Sequence, residues 1–169
     1  AWKKLFDSWA FLTNGMKGFK SRGVNLPEGI SESAYCLLTG SCRLVSGTNL
    51  PNSSFDTYNE KSGMTEQIKA CSVKSDLTSF GPKSKWDILF FLDFYNNGNL
   101  NGQFNVYQIP NEIIYSAKVN KNHTFRDFQL MGKRPRLSIK KIIVENNIEP
   151  KFENIIIYNR MFSFRVTDS

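Results

Sequence analysis

A single α/β (α+β) domain, with a mixed central sheet flanked by helices, is the fold that three features of this sequence predict. The stretch Ile88-Leu89-Phe90-Phe91-Leu92-Asp93-Phe94-Tyr95 is apolar almost without a break, as suits a central strand covered on both faces. Trp2, Leu5, Phe6 and Trp9 recur at helical spacing, which predicts an amphipathic opening helix over residues 2–12. A chain of 169 residues, 40% of them hydrophobic, is long enough for one well-cored domain and short for two. No linker or internal repeat divides it, so residues 1–169 read as one domain.

After the first helix, Gly15, Gly18 and Gly23 loosen the chain around Lys17, Lys20 and Arg22. A second helix can begin near Pro27, or at Ser31 with that serine as N-cap, and run through Ala34, Tyr35, Leu37 and Leu38 to a stop at Gly40. Strand patterns follow at residues 43–46, 54–58, 65–73 and 87–95, with a short helix or loop over 76–85. Residues 103–109 form a further strand, joined to the previous one by the Asn/Gly-rich loop 96–102. Pro110 ends that strand, and Asn111-Glu112-Ile113-Ile114-Tyr115 begins a helix. Beyond Pro150, the runs 155–157 and 162–164 leave helix and strand both open.

Several chemistries are disfavoured. Cys36, Cys42 and Cys71 have neither an even count nor paired metal spacing, and with His123 the lone histidine a zinc site is not expected. Free thiols and a cytoplasmic location fit better, because the N-terminal segment lacks a signal peptide's apolar core and no run is long enough to span a membrane. There is no Gly-rich phosphate loop with its Lys-Ser/Thr and no Gly-x-Ser-x-Gly elbow.

The net charge of +7 is confined to one place. Between Lys118 and Lys141 eight basic residues stand against Asp127 alone, and the rest of the chain, with fourteen bases and fourteen acids, is neutral. Most charge runs are solvated faces. Here Lys133-Arg134-Pro135-Arg136 is compact and holds two arginines, the side chain best suited to phosphate and guanine, which favours a nucleic-acid footprint.

The second chemical signal is Asp56 followed by Gln67-Ile68-Lys69. In a strand, Gln67 and Lys69 share one face while Ile68 and Ala70 take the other, so a carboxylate, an amide oxygen and an ammonium can converge. An Asp and a Lys on neighbouring strands are more commonly a solvated pair. The wider context decides between these readings. Residues 25–32 (Asn-Leu-Pro-Glu-Gly-Ile-Ser-Glu), 76–84 (Asp-Leu-Thr-Ser-Phe-Gly-Pro-Lys-Ser) and 124–127 (Thr-Phe-Arg-Asp), together with the motif, resemble a small family of type II restriction endonucleases known from Bacillus, within the PD-(D/E)xK nuclease superfamily. The resemblance runs from about Arg22 to Ile143, with Gln67 standing where the superfamily has an acid.

The resemblance implies a restriction-endonuclease-like core and magnesium-dependent hydrolysis of double-stranded DNA at a short interrupted palindrome, GCNGC. It implies that Asp56, the Gln67 side chain and the Ile68 carbonyl hold the metal, and that Lys69 orients or deprotonates the attacking water. A second acid is expected from the helix before the sheet. Glu32 is the first choice, Glu28 the second, and Glu66 would serve only if a β-bulge shifted the register. Lys133, Arg134 and Arg136 are the expected guanine readers, followed by Arg126 and Gln129; Lys121 would hold phosphate, and Ser79 and Lys83 lie on a loop expected to face DNA near the cut. A homodimer and a cognate DNA methyltransferase are the implied partners. The rival readings are a non-catalytic nucleic-acid-binding protein on a nuclease-like fold and a nuclease for branched or damaged DNA.

Overall fold

The computed structural model describes residues 1–43 and 56–158, arranged as a mixed α/β structure. Helices α1 (Trp2–Gly18) and α2 (Glu28–Thr39) precede the strands β1 (Cys42–Arg43), β2 (Thr57–Asn59), β3 (Met64–Cys71), β4 (Thr78–Ser79), β5 (Ile88–Asp93) and β6 (Phe104–Ile109). Then come α3 (Asn111–Ser116), α4 (Phe125–Leu130), β7 (Arg136–Leu137), α5 (Ile139–Glu145) and β8 (Phe152–Ile155). Six strands form one sheet in the order β1-β2-β3-β5-β6-β8, and β4 and β7 form a separate ribbon. Among the described strands only β3 and β5 run parallel; the other pairs are antiparallel, which makes the sheet mixed as the sequence predicts.

Two apolar layers sandwich the sheet. Phe90 and Leu92 of β5 face Trp2, Phe6, Trp9 and Tyr35 of the first two helices. Leu89 and Phe91 face the opposite way, against Phe80, Trp86, Phe125, Leu137 and Ile139. A strand whose successive side chains enter different cores must be apolar at every position, which is what the 88–92 run records.

The structure revises several boundaries. Helix α1 continues six residues past the expected end, through Gly15 and Gly18. Tertiary bonds tie the returning chain to its middle. The Val24 N–H donates to Thr13 Oγ1 (2.8 Å) and Trp9 Nε1 donates to the Val24 carbonyl (3.0 Å), tying the returning chain along the helix. Gly23 permits this approach, since a Cβ there would stand 2.7 Å from Thr13 Oγ1. Ser31 is not the N-cap of α2. The helix starts at Glu28 behind Pro27, and Ser31 Oγ donates back to the Glu28 carbonyl (3.1 Å). Glu32 therefore lies in the second turn and Glu28 in the first. Gly40 ends the helix in the left-handed conformation, as expected.

Strand β1 begins at Cys42 and β2 at Thr57; the remaining parts of the expected strands 43–46 and 54–58 lie outside the described residues, except for Asp56, which precedes β2. The 76–85 segment, expected as helix or loop, contributes β4, which pairs Thr78 with Leu137 and Ser79 with Arg136. The tail supplies strand β8 on the edge of β6, while positions 162–164 lie outside the described residues.

Buried Asp76 pins the β4–β7 ribbon to the start of α5. It accepts from Thr78 Oγ1 (2.7 Å), Ser138 Oγ (2.9 Å), Ile139 N–H (2.8 Å) and Lys140 N–H (3.0 Å). Removing the carboxylate leaves two backbone donors at a helix N-terminus without their acceptor. Asp76→Ala is expected to lower stability by about 2–3 kcal/mol in denaturant unfolding, the size of a hydrogen-bonded buried charge.

Candidate active site

The two faces of β3 carry different chemistry. Glu66 is buried towards α2, where Tyr35 Oη donates to its Oε2 and Thr57 Oγ1 donates to its Oε1 (2.9 Å). Ile68 joins the core beneath the first two helices. Gln67 and Lys69 alternate to the other face, and the Lys69 ammonium stands 4.9 Å from the centroid of the Phe80 ring. The β2–β3 register is regular, with no bulge between Thr57↔Glu66 and Asn59↔Met64, so Glu66 remains on the α2 side with both oxygens engaged.

Asp56 sits where the β2–β3 ladder ends. Its N–H donates to the Glu66 carbonyl (2.9 Å), and its Oδ2 accepts from the Ile68 N–H (2.9 Å). The backbone of Thr65 and Cys71 bonds towards the β5 side, through Asp87 and Phe94. By alternation, Glu66 and Ile68 present their backbones to the β2 edge, so the Ile68 carbonyl opens onto the same edge as the Asp56 carboxylate. Gln67 is buried and its Oε1 has no hydrogen-bond partner among the described residues.

Burial dominates the electrostatics. It raises the Asp56 carboxyl to about 6 against the lowering effect of the Ile68 N–H, and neighbouring Glu32 raises it further while Lys69 opposes. Glu32 is also raised by burial, with the adjacent Arg43 guanidinium opposing; Arg43 Nε donates to its Oε2 at 2.6 Å. Lys69 is lowered by burial, against the fields of Asp56 and Glu28. Asp56, Lys69, Glu32 and Glu28 thus form one electrostatic group, in which Glu32 is already paired and Glu28 is exposed.

The donor set suits a hard cation only if neutral oxygens take part. Among the described residues no group of three His, Cys, Asp or Glu side chains could hold a metal. The Asp56 carboxylate, the unpartnered Gln67 carbonyl oxygen and the Ile68 carbonyl are oxygen ligands of the kind magnesium takes, with water completing its shell.

The basic segment adjoins this group through the β4–β7 ribbon. Phe80 N–H donates to the Pro135 carbonyl (3.0 Å), and Arg134 Nε donates to Ser79 Oγ (3.2 Å). Arg134 is close enough for its charge to act on Lys69. Lys133, Arg134 and Arg136 are exposed around β7, as is Lys83 on the facing loop. Gln129 Nε2 donates to the carbonyls of Gly81 (3.1 Å) and Ser84 (3.3 Å), bracing that loop. Arg126 stacks over Tyr115 at 4.8 Å, and Lys121 is exposed in the turn before α4. The segment is not one continuous cationic face, because Lys140 pairs with Asp93 (3.2 Å) and lies over Tyr95, while Lys141 pairs with Glu145 (3.8 Å).

Sequence reasoning missed Arg43 as the partner of Glu32 and the aromatic seat of Lys69 on Phe80. Neither has a local signal. Arg43 reaches Glu32 from the far end of α2, and Phe80 reaches Lys69 from the other layer of the sandwich.

Comparison with known proteins gives the family of the chain. The Bsp6I restriction endonuclease family model matches residues 1–146. The type II restriction enzyme Bsp6I of Bacillus sp. (strain RFL6) is 34% identical over 151 residues, covering 87% of this chain and 82% of that enzyme. No solved structure matches. Over most of its length, and across every segment that frames Asp56 and Lys69, the chain belongs to the Bsp6I restriction endonuclease family.

Proposed function

We propose that the chain hydrolyses double-stranded DNA with magnesium at a short interrupted palindrome, GCNGC, through Asp56, Gln67 and Lys69. The observation that carries this reading is the buried, unpartnered Gln67 oxygen on the strand whose Ile68 N–H holds Asp56. An unsatisfied buried acceptor costs about 1–3 kcal/mol, a cost that a cation ligated there would offset. In this reading the protein acts in the cytoplasm as a homodimer and is paired with a methyltransferase that protects the same site.

Asp56, Gln67 and the Ile68 carbonyl would hold the ion, which when bound polarises the phosphate and acidifies a water. Lys69 lies on the same strand face as Gln67, its amine seated on Phe80. From there it orients the attacking water and neutralises charge gathering on the phosphate oxygens. Burial eases release of its proton when it acts as a base. Glu32 supplies a nearby carboxylate on condition that it exchanges Arg43 for water or metal. Arg134, Arg136 and Lys133 would meet the duplex beside this centre, with Ser79 and Lys83 on the facing loop.

Incubation of the protein with plasmid DNA and magnesium tests the reading. Discrete fragments uphold it. A smear indicates a nuclease without sequence preference, and intact but bound DNA indicates a non-catalytic binder. Lys69→Ala is expected to slow cleavage by on the order of 10²–10⁴-fold with binding retained. Gln67→Glu should reach half-maximal activity at lower magnesium and Gln67→Ala at higher; a Gln67→Ala titration that overlays the wild type removes this side chain from the ligand set.

Protons and magnesium compete for Asp56. With its carboxyl near 6, its anionic form is lost as pH falls through that value. Cleavage at limiting magnesium should therefore drop below about pH 6, and excess magnesium should move the midpoint to lower pH. A midpoint that ignores magnesium would assign the titration to another group.

Base reading and phosphate binding separate in competition experiments. Loss of a bidentate guanine contact costs about 1–3 kcal/mol on cognate DNA, whereas loss of a phosphate contact weakens all sequences equally. Arg136→Ala is expected to lower the ratio of specific to random binding, and Lys121→Ala to leave that ratio unchanged while flattening the salt dependence.

A further inference from the structure

We propose that the outer face of α1 is a self-complementary seam through which two copies of this chain associate with their first helices antiparallel. Leu5, Ser8, Leu12, Gly15 and Phe19 recur at alternating intervals of three and four residues, so they form one stripe beside the face that Trp2, Phe6, Trp9, Ala10 and Thr13 bury. The stripe itself holds no charge, and Lys4 stands on its rim between Phe11 and Gly15. Lys3, Asp7 and Lys17 lie on the opposite flank, and the first two form an i,i+4 ion pair. Leu5, Leu12 and Phe19 are 60, 52 and 90% exposed, and Phe11, which borders the stripe, is 84% exposed.

Large and small residues alternate along the stripe. Two parallel copies would set leucine against leucine and glycine against glycine, leaving gaps that close packing forbids. In the antiparallel register that places Ser8 opposite Leu12, Leu5 falls opposite Gly15, so each leucine of the stripe meets a small residue. Gly15 has open space where a Cβ would lie, and Ser8 Oγ already donates to the Lys4 carbonyl (2.7 Å), so burying it strands no polar group. The register also sets Lys4 opposite Met16 of the other copy, which keeps the two ammonium groups about 18 Å apart along the axis, beyond the screening length. Burying Leu5, Leu12 and Phe19, with Phe11 at the rim, in both copies removes on the order of 1,000 Å² from water, the lower bound for a specific interface. Cutting both strands of a duplex in one encounter calls for a second active site. In that use the dimer rests on the proposed nuclease reading; the complementarity of the seam does not.

Sedimentation of the full chain tests the seam. The wild type is expected at twice the chain mass at micromolar concentration. Leu12→Glu and Gly15→Leu should each weaken association by about 30–100-fold. Gly15→Leu improves helix propensity, so its circular dichroism and melting temperature should hold or rise while the dimer is lost. In a Cys36→Ser, Cys42→Ser background, a mixture of Ser8→Cys and Leu12→Cys chains should cross-link faster than either chain alone, which reads the register. A monomeric wild type, or two variants that remain dimeric, overturns the seam. A wild type that is monomeric and still cuts DNA leaves the nuclease reading intact without the seam, whereas a wild-type dimer that both variants dissociate and that cuts no DNA upholds the seam and sinks the nuclease.

Discussion

Glu66 holds the strand register on which the candidate site depends. Its carboxylate is buried between β3 and α2, with one oxygen bonded by Tyr35 and the other by Thr57. A buried carboxylate is costly unless its lone pairs are filled, and only one register of β2 against β3 fills both. A slip of one residue would turn Gln67 towards α2 and expose Glu66. With the register held, Gln67 and Lys69 must face the other layer, and the Ile68 N–H must face the edge where Asp56 enters.

That other layer gives Lys69 its setting and joins the site to the basic segment. Phe80 supports the ammonium from below and bonds through its backbone to Pro135. Asp76 anchors the same ribbon by capping the first N–H groups of α5. Arg134 is therefore held, through Ser79 and the β4–β7 ribbon, where its charge acts on Lys69, with Lys133 and Arg136 beside it in the chain. Lys140 and Lys141, although in the same cationic run, turn to Asp93 and Glu145.

The charges of the site are poised against one another. Burial drives Asp56 and Glu32 towards their neutral acids and Lys69 towards its neutral amine. A bound divalent cation would be the largest charge in such a place, favouring ionised carboxylates and disfavouring the ammonium. The neutral Gln67 oxygen fits the same logic, since as a ligand it would add no further buried negative charge beside Asp56 and Glu32.

By itself the sequence determined what local periodicity encodes. The continuous apolar run placed β5 in the middle of the sheet, period-two alternation separated Gln67 and Lys69 from Ile68, and Gly40 marked the end of α2. The spacing of Asp56 from Gln67-Ile68-Lys69, with the flanking segments, was enough to identify the family. Tertiary structure decided what depends on residues far apart in the chain. Helix α1 outran its expected end alongside a returning chain that Val24 ties to Thr13, and β4 formed only because β7 lay ready to pair with it; of the two starts the sequence offered for α2, the one behind Pro27 is realised. Partner choice was decided at the same level. Whether Glu32 faces Arg43, whether Lys69 rests on an aromatic ring, and which lysines of a basic run keep their charge free are settled by contacts between layers, which no window along the sequence contains.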